Sequence, residues 1–238
     1  MIIWGPGFVS SKHEHHSVEL AMALEGKLRV RSGPEQNWID CRAALVKPDA
    51  SHEIDASKAQ ILLVLVDPAS NFGAALLDSF VPAISPVKDE IVATWRKELG
   101  DYSTLSSARL ESWVKEYLLC GDRPPRLHPK VRRVLGVIRE ELGDPRSLSL
   151  KHMASIAGLS ESRFMHVFTE SVGVPLRPYI RWLRLQHAWC ELMDGATVTE
   201  AAHRTGFADA AHLTRTVRRM MGTTPRELIR RRLAHAGL

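Results

Sequence analysis

Apolar and polar residues alternate between turn signals along the first 68 residues of the chain. Apolar runs cover residues 17–24 and 27–31, on either side of Glu25 and Gly26, and a third run, rich in leucine and valine, covers residues 60–66. Alternation with a period of two residues is typical of strands that bury one face. The pattern therefore predicts a small antiparallel β-domain.

The apolar positions change to helical spacing after Asp67 and Pro68. In two later stretches apolar residues recur every four positions. They are Val87, Ile91, Trp95 and Leu99 in the first stretch, and Leu110, Val114 and Leu118 in the second. This spacing predicts at least two amphipathic helices within about residues 87–118. Such helices either pack on the sheet as core, relay a signal, or cover the β-domain in a homodimer.

Charge divides the chain into an acidic and a basic half. Residues 1–122 carry 12 lysines and arginines against 17 acidic residues, whereas residues 123–238 carry 20 against 10. Of the 20 cationic residues in the second half, 18 are arginine. A basic region of this kind is typical of a domain that binds a polyanion such as DNA. A solvated basic surface is the alternative that charge alone leaves open.

A chain of 238 residues most simply holds two domains, because domains average roughly 100–150 residues. The best linker candidate is residues 121–125, Gly-Asp-Arg-Pro-Pro, since two adjacent prolines hold the chain extended and cannot sit inside a helix. We therefore place the first domain at residues 1–122, including the helices of about 87–118, and the second at residues 127–238.

The cysteines and the apolar runs indicate the cellular setting. Cys41, Cys120 and Cys190 are odd in number, far apart and without CxxC spacing, so we interpret them as reduced, buried thiols. No apolar stretch approaches the ~18–20 residues that span a bilayer, and the first residues do not form a signal peptide. We expect a cytoplasmic protein with no membrane partner.

Two segments of the basic half repeat one pattern. Residues 154–180 contain Gly158 and residues 202–229 contain Gly206, which is 48 positions further on. Each glycine follows a short helical stretch with inward alanines and precedes a second helical stretch. A small residue at the helix crossing and a glycine in the turn are how a helix-turn-helix is built. A helical repeat that packs on itself is the alternative.

Cap signals mark the ends of the helices in both units. Ser160 is a good N-cap, Thr197 with Glu200 forms a capping box, and Asp209 takes the cap role where Ala208 offers no side-chain oxygen. The second helix of each unit is expected to end at a left-handed glycine followed by a proline. These residues are Gly173 and Pro175, and Gly222 and Pro225.

Residues 127–231 resemble the AraC/XylS family of bacterial transcription regulators. The strongest motif is Gly-Phe-Ala-Asp at residues 206–209 followed by Gly-Thr-Thr-Pro at residues 222–225, similar to the family signature GFxD...GxTP. The resemblance implies a seven-helix domain whose two recognition helices enter adjacent major grooves. It also implies a long connecting helix at about residues 178–193, whose length of ~24 Å suits grooves one duplex turn apart.

The resemblance implies which side chains contact DNA. Those expected to read bases are Ser162, Met165, His166 and Thr169 in the first unit, and Ala210, Thr214, Arg215 and Arg218 in the second. Those expected along the phosphates are Arg181, Arg184, Arg204, Arg219, Arg230, Arg231 and Arg232. Arg215 is the strongest base-reading candidate, because arginine donates two hydrogen bonds to guanine. A phosphate contact or a solvated charge is the alternative for Arg215, and a solvated tail is the alternative for residues 230–232.

The N-terminal half carries a second motif. Gly7, His13, His15, Glu19 and Gly26 follow the spacing G-x5-H-x-H-x3-E-x6-G, which resembles the first motif of the cupin superfamily. Residues two apart on a strand point to one side, so the two histidines can hold one ion. Imidazole and carboxylate ligands suit iron, manganese, nickel or zinc.

The fourth ligand that the cupin resemblance implies is His52. Its segment, Pro-Asp-Ala-Ser-His at residues 48–52, is one residue shorter than the second cupin motif and has Ala50 in place of glycine. Three interpretations stay open for the group: a divalent metal, a pocket for an organic effector, or a filled barrel without a ligand. His16 is expected to face solvent.

Together these features predict an α+β protein. A small antiparallel cupin-like β-barrel with associated helices precedes an all-α, seven-helix domain with two helix-turn-helix units. We expect a regulator, not an enzyme, that binds double-stranded DNA under the control of a metal or small-molecule effector, and that contacts RNA polymerase if it is an activator. A metal-dependent cupin enzyme with a DNA-binding tail and a protein-binding adaptor are the alternatives.

Overall fold

The computed structural model describes residues 1–77, 82–118, 127–142, 147–231 and 234–236. The chain divides into two compact units. One comprises Met1–Pro124 together with Val217–Leu238, and the other comprises Pro125–Thr216. The segment from Val217 onward is therefore described below with the strands that it contacts, and the domain limits of 1–122 and 127–238 stay a prediction.

Three of the sequence predictions concern residues outside the described parts of the chain. These are the linker at residues 121–125, the thiol of Cys120 and the phosphate contact of Arg232. The other two cysteines, Cys41 and Cys190, are free thiols, half-buried rather than buried. Burial, together with the nearby Asp40 and Asp89, raises the pKa of the Cys41 thiol to about 11, so the thiol stays protonated at neutral pH.

The strands of the described residues form two antiparallel sheets, which confirms the predicted antiparallel β-domain. The strands are β1 (Ile2–Pro6), β2 (Val9–His13), β3 (Val18–Glu25), β4 (Leu28–Arg31), β5 (Ile39–Cys41), β6 (Ala43–Val46), β7 (His52–Asp55), β8 (Gln60–Val66), β9 (Ile84–Pro86) and β10 (Ala234–Ala236). One sheet has the order β10-β1-β8-β3-β6-β9, and the other has the order β2-β7-β4-β5.

Strand β3 is buried on both faces, which places a polar residue inside the β-domain. Its even-numbered residues, such as Leu20 and Met22, join the main apolar core together with residues of the following helices. Since side chains alternate along a strand, the odd-numbered Glu19 points to the opposite face. There it meets Ile61 and Leu63 of β8 around a small internal cavity.

Helices α2 (Asp89–Leu99) and α3 (Ser107–Trp113), continued by a π-helical turn (Val114–Leu118), cover the outer face of this sheet. The indole of Trp113 is 1% exposed and meets that of Trp95 edge to face at 5.8 Å. Both predicted amphipathic helices are thus present and pack on the sheet, although α2 begins at Asp89 and its Ile91 is exposed. A role of these helices in relay or dimerisation stays a prediction.

Two short strands and a short helix were not predicted from the sequence. Strand β9 pairs with β6, strand β10 pairs with β1, and α1 covers Asn71–Leu77. Three-residue strands carry too little periodicity to be recognised, and strand β10 is formed by pairing with residues more than 200 positions earlier.

Residues 127–142 and 147–231 contain seven helices, as the resemblance implied. They are α4 (Pro129–Glu140), α5 (Leu150–Ala157), α6 (Glu161–Val172), α7 (Leu176–Met193), α8 (Val198–Arg204), α9 (Ala210–Met221) and α10 (Pro225–Arg231). The connecting helix α7 has 18 residues, two more than predicted at its start. None of the helices in the described residues has both the length and the apolar character needed to cross a membrane.

The cap residues confirm both helix-turn-helix units. The turn glycines have left-handed backbones, with φ of 59° at Gly158 and 75° at Gly206. Ser160 accepts the N–H of Arg163, and Asp209 Oδ1 accepts the N–H of His212 at 2.6 Å. The predicted capping box of α8 and the left-handed glycines at the ends of α6 and α9 are also present.

Candidate functional sites

Four side chains from three strands and one loop meet inside the β-domain. His13 ends β2 and lies opposite His52 at the start of β7, so strand pairing brings these two rings together. Glu19 lies on the inner face of β3, and His15 lies in the loop that joins β2 to β3. The structure thus groups the four predicted ligands, although His15 follows the strand rather than belonging to it. All four are buried, and we call them the His/Glu cluster.

The ligand atoms of the His/Glu cluster all lie within 4.8 Å of one another. One carboxylate oxygen, Glu19 Oε2, lies 2.8 Å from His15 Nε2 and 3.0 Å from His52 Nε2. The ring centroids of His13 and His52 are 4.0 Å apart. The cluster is therefore a compact set of three imidazoles around one carboxylate.

The Nδ1 atom of each imidazole is hydrogen-bonded on the outer side of the cluster. His13 Nδ1 donates to the carbonyl of Ser11, and His52 Nδ1 donates to the carbonyl of Ala50, both at 2.9 Å. His15 Nδ1 lies 2.9 Å from Ser17 Oγ. Because one nitrogen of each ring is held in this way, Nε2 is the nitrogen available to a central ion.

The pKa values within the His/Glu cluster follow from burial and from the single carboxylate. Burial raises the pKa of Glu19, but hydrogen bonds from His15 and His52 outweigh it and hold that pKa well below its ordinary value. Burial lowers the pKa of His52, yet the bond to Glu19 raises it overall. Burial and the other two histidines lower the pKa of His13 to about 3. The lowered pKa values of Glu19 and His13 favour the forms that bind a metal, an ionised carboxylate and a neutral imidazole. The bond to Glu19 instead favours a protonated His52, which would have to lose that proton to bind an ion.

The cavity beside the His/Glu cluster is small, and outside the cluster most of its lining is apolar. Its volume is about 10 Å³. Besides members of the cluster, its lining comprises Phe8, Ser10, Ile54, Ile61, Leu63 and Met221. A volume of this size suits one water or one ion, whereas pockets for small organic molecules measure roughly 300–1,000 Å³.

His16 is the histidine that the sequence analysis placed wrongly. We expected it to face solvent, but its side chain is buried, and its Nδ1 lies 2.8 Å from Asp49 Oδ2. Asp49 adopts a left-handed backbone with φ of 61°, in the turn where the cupin motif has its glycine. His16 therefore helps to shape the turn that leads to His52 and is not part of the cluster.

The recognition helices α6 and α9 bury the residues expected to face inward and expose most of those expected to read bases. Phe164, Val167 and Phe168 are buried in α6, as are Leu213, Val217 and Met220 in α9. The exposed candidates are Ser162, Met165, His166, Arg215 and Arg218, whereas Thr169, Ala210 and Thr214 are half-buried. Arg163 is exposed in the first turn of α6 and is a further candidate that the sequence analysis omitted.

Several of the arginines expected along phosphates already have protein partners. Arg204 pairs with Glu191 at 2.8 Å, and Arg230 and Arg231 both pair with Glu227. Arg184 donates to the carbonyl of Gly206. The others lie at the surface: Arg219 is exposed and Arg181 is half-buried.

Comparison with known sequences identifies the C-terminal region. The profile of a helix-turn-helix domain family matches residues 153–231, which contain both units. Residues 153–231 form a helix-turn-helix domain of the AraC type. This match covers about a third of the chain and lies wholly within residues 127–231, where the motif resemblance was found.

The curated relatives match the AraC-type domain and are much longer than the region they share with this chain. An uncharacterized HTH-type transcriptional regulator of Staphylococcus aureus strain MSSA476 is 34% identical over 99 residues, which are 41% of this chain and 13% of that protein. The HTH-type transcriptional regulator GlxA of Rhizobium meliloti is 32% identical over 105 residues, 44% of this chain and 32% of GlxA. The chain thus matches a third or less of either relative.

A solved structure is similar over both the β-domain and the AraC-type domain. ToxT from Vibrio cholerae O395 superposes with a TM-score of 0.56 over 96% of this chain and 95% of the ToxT chain. The sequences are 12% identical over this superposition. At that identity the similarity concerns the fold, and it confirms the predicted combination of an N-terminal β-domain with a helical C-terminal region.

Proposed function

We propose that this protein is a sequence-specific DNA-binding transcription regulator whose β-domain responds to a divalent transition metal. One observation carries the first part: two capped helix-turn-helix units each bury one face of a recognition helix and expose the other. The relatives, both named as HTH-type transcriptional regulators, support this function. The basic charge of residues 123–238 supports binding to the phosphate backbone.

DNA binding is tested by selecting duplexes from a random-sequence pool with the full-length protein. We expect enrichment of one shared site, with affinity in the nanomolar range that weakens steeply as salt increases. Equal recovery of all sequences would contradict sequence-specific binding. Failure to retain any duplex in low salt would instead favour the protein-binding adaptor.

Within the selected site, Arg215→Ala is expected to relax base preference at one position. The exposed guanidinium of Arg215 can donate two hydrogen bonds to a guanine, which is worth ~1–3 kcal/mol of discrimination. The matched variant Arg230→Ala should weaken binding to all sequences alike. It should also reduce the slope of log affinity against log salt concentration by about one. Competition binding against duplexes with single-base changes measures both effects. If Arg215→Ala instead lowers the affinity for all duplexes equally and keeps the base preference, Arg215 binds a phosphate rather than a base.

The metal part of the proposal rests on the donor set of the His/Glu cluster. Ligand bonds of about 2.1 Å place neighbouring ligand atoms around an octahedral ion roughly 3 Å apart and opposite ones about 4 Å apart. The two distances from Glu19 Oε2, 2.8 and 3.0 Å, match the spacing of neighbouring ligand atoms. No two ligand atoms of the cluster are more than 4.8 Å apart, which is close to the spacing of opposite ligand atoms. Three imidazoles and one carboxylate favour iron, manganese, nickel or zinc.

The size of the cavity argues against the other two interpretations of the cluster. A cavity of about 10 Å³ does not hold an organic effector, and it leaves no volume for a substrate beside the ion, as a cupin enzyme would need. A filled barrel without a ligand would not need three buried histidines, each hydrogen-bonded at Nδ1 and grouped around a single carboxylate. A bound metal therefore accounts for the geometry best.

A further inference from the structure

The end of the second recognition helix, α9, is held by strand β2 of the β-domain. Residues from Val217 onward belong to the same compact unit as the strands. The carbonyl of Gly222, which follows the last residue of α9, accepts two hydrogen bonds from Ser11 of β2. The backbone N–H of Ser11 donates at 2.8 Å and its hydroxyl donates at 2.9 Å.

This contact is so close that only glycine fits at position 222. The backbone of Gly222 is left-handed, with φ of 64°. A Cβ atom added there would lie 2.2 Å from the carbonyl oxygen of Ser11 and 2.8 Å from Nδ1 of His13. Both distances are far below van der Waals contact, so any larger residue would force α9 and β2 apart.

Ser11 therefore contacts both the His/Glu cluster and the end of α9. Its carbonyl accepts the Nδ1–H of His13, and its N–H and hydroxyl donate to Gly222. A single residue thus separates a predicted metal ligand from the end of the second recognition helix. The adjacent Met221, 4% exposed, also lines the cavity beside the cluster.

A second anchor fixes the helix that follows. The guanidinium of Arg231, at the end of α10, donates to the carbonyl of Gly7 at 2.6 Å. The same guanidinium pairs with Glu227 one turn earlier in α10. Since the segment from Gly222 to Arg231 is tied to the β-domain at both ends, a displacement of β2 near Ser11 is not readily absorbed within this segment.

We propose that strand β2 transmits occupancy of the His/Glu cluster to the second helix-turn-helix unit through Ser11 and Gly222, so that a bound divalent metal changes the affinity of the protein for DNA. This inference rests on the metal and DNA binding proposed above. An ion on Nε2 fixes the ring of His13 and makes its Nδ1–H a stronger donor to Ser11. A contact without free space transmits such a shift to Gly222 instead of absorbing it.

Thermodynamic linkage makes the proposal quantitative. If the metal changes DNA affinity by a given factor, DNA must change metal affinity by the same factor. Couplings of this kind typically amount to about 5–150-fold. The effect of the metal on DNA affinity and the effect of DNA on metal affinity are measured independently. A variant that is merely unfolded would not give two equal factors.

The experiment uses full-length protein, a duplex selected from the random-sequence pool, and Ni²⁺, which imidazole ligands bind well. DNA affinity is measured with Ni²⁺ and with chelator, and Ni²⁺ affinity is measured by calorimetry with and without the duplex. In the parent we expect Ni²⁺ to shift the DNA affinity, and the duplex to shift the Ni²⁺ affinity, by at least about fivefold. In Gly222→Ala the shift should fall below about twofold, and in Ser11→Ala it should fall to less than about half of the parent value, while both variants still bind Ni²⁺ and DNA.

Gly195→Ala is the matched control. Gly195 also has a positive φ, of 97°, but an added Cβ would meet no atom within 4 Å. This variant carries the backbone strain of a replaced left-handed glycine without a clash, so it should keep the parent shift. Ser11→Ala keeps the test decisive if Gly222→Ala fails to fold, because it removes only the hydroxyl bond.

The outcomes separate this inference from the proposed function. A parent that binds both Ni²⁺ and the duplex without any shift would overturn the coupling alone. An unchanged shift in Ser11→Ala and Gly222→Ala would overturn the route through Ser11. Absence of bound Ni²⁺ in calorimetry would overturn the metal site and the coupling with it, and absence of duplex binding with chelator and with Ni²⁺ would overturn the DNA-binding function.

Discussion

Replacing both His13 and His15 by alanine will abolish metal binding. The parent protein, purified without an affinity tag, should contain about one equivalent of a divalent metal, and the variant should contain less than about a tenth. The reason is the donor set: the substitutions remove two of four ligands and leave one imidazole and one carboxylate. Elemental analysis of both proteins measures the difference directly.

His16→Gln is the matched control for this experiment, because glutamine can keep a hydrogen bond to Asp49 in the turn before His52. His16 is a buried histidine of the same loop whose ring bonds to Asp49, and it is not one of the four ligands of the His/Glu cluster. The control should therefore retain the metal content of the parent. A parent that contains no metal, even after incubation with iron, manganese, nickel and zinc salts, would contradict the metal site and leave the DNA-binding proposal unchanged.

Trp113→Ala is expected to have the largest effect on stability, lowering the free energy of unfolding by about 3–5 kcal/mol. The indole is 1% exposed, lies in the core between α3 and the outer face of the sheet, and packs against Trp95 and Tyr117. Removing it leaves a large cavity that the surrounding strands cannot close. Denaturant unfolding followed by circular dichroism measures the change.

Ile91→Ala distinguishes a core role of these helices from a dimer role. Ile91 lies on α2 but is 43% exposed, so its truncation should change stability by less than about 0.5 kcal/mol. If the helices only cover the sheet, neither substitution changes the molecular mass in solution, which light scattering measures. A parent dimer that Ile91→Ala converts to a monomer would assign the exposed side of α2 to the homodimer interface.

Local signals in the sequence were sufficient for most of the helical region. The caps at Ser160, Asp209 and Thr197 and the turns at Gly158 and Gly206 were all predicted and are present. Each depends on backbone conformation and on hydrogen bonds within about four residues. Such interactions do not depend on how the rest of the chain folds, so the sequence alone reveals them.

The His/Glu cluster was predicted in part by local spacing. His13, His15 and Glu19 lie within seven residues, and their pattern is specific enough to recognise. His52 was harder to place because its segment departs from the cupin motif. Pairing of β2 with β7 sets it opposite His13, and the turn before it has its left-handed residue at Asp49, next to the Ala50 that stands in place of the motif glycine.

What the sequence determined by itself is the set of main elements, which are the antiparallel strands, the capped helices and the two helix-turn-helix units, together with the identity of the four members of the cluster. Tertiary structure alone decided that His16 is buried, that α2 and α3 cover the sheet, and that Gly222 is hydrogen-bonded to Ser11. The physical reason is the distance along the chain. Contacts between residues tens to hundreds of positions apart are selected by the packing of whole elements, which leaves no periodic signal near either residue.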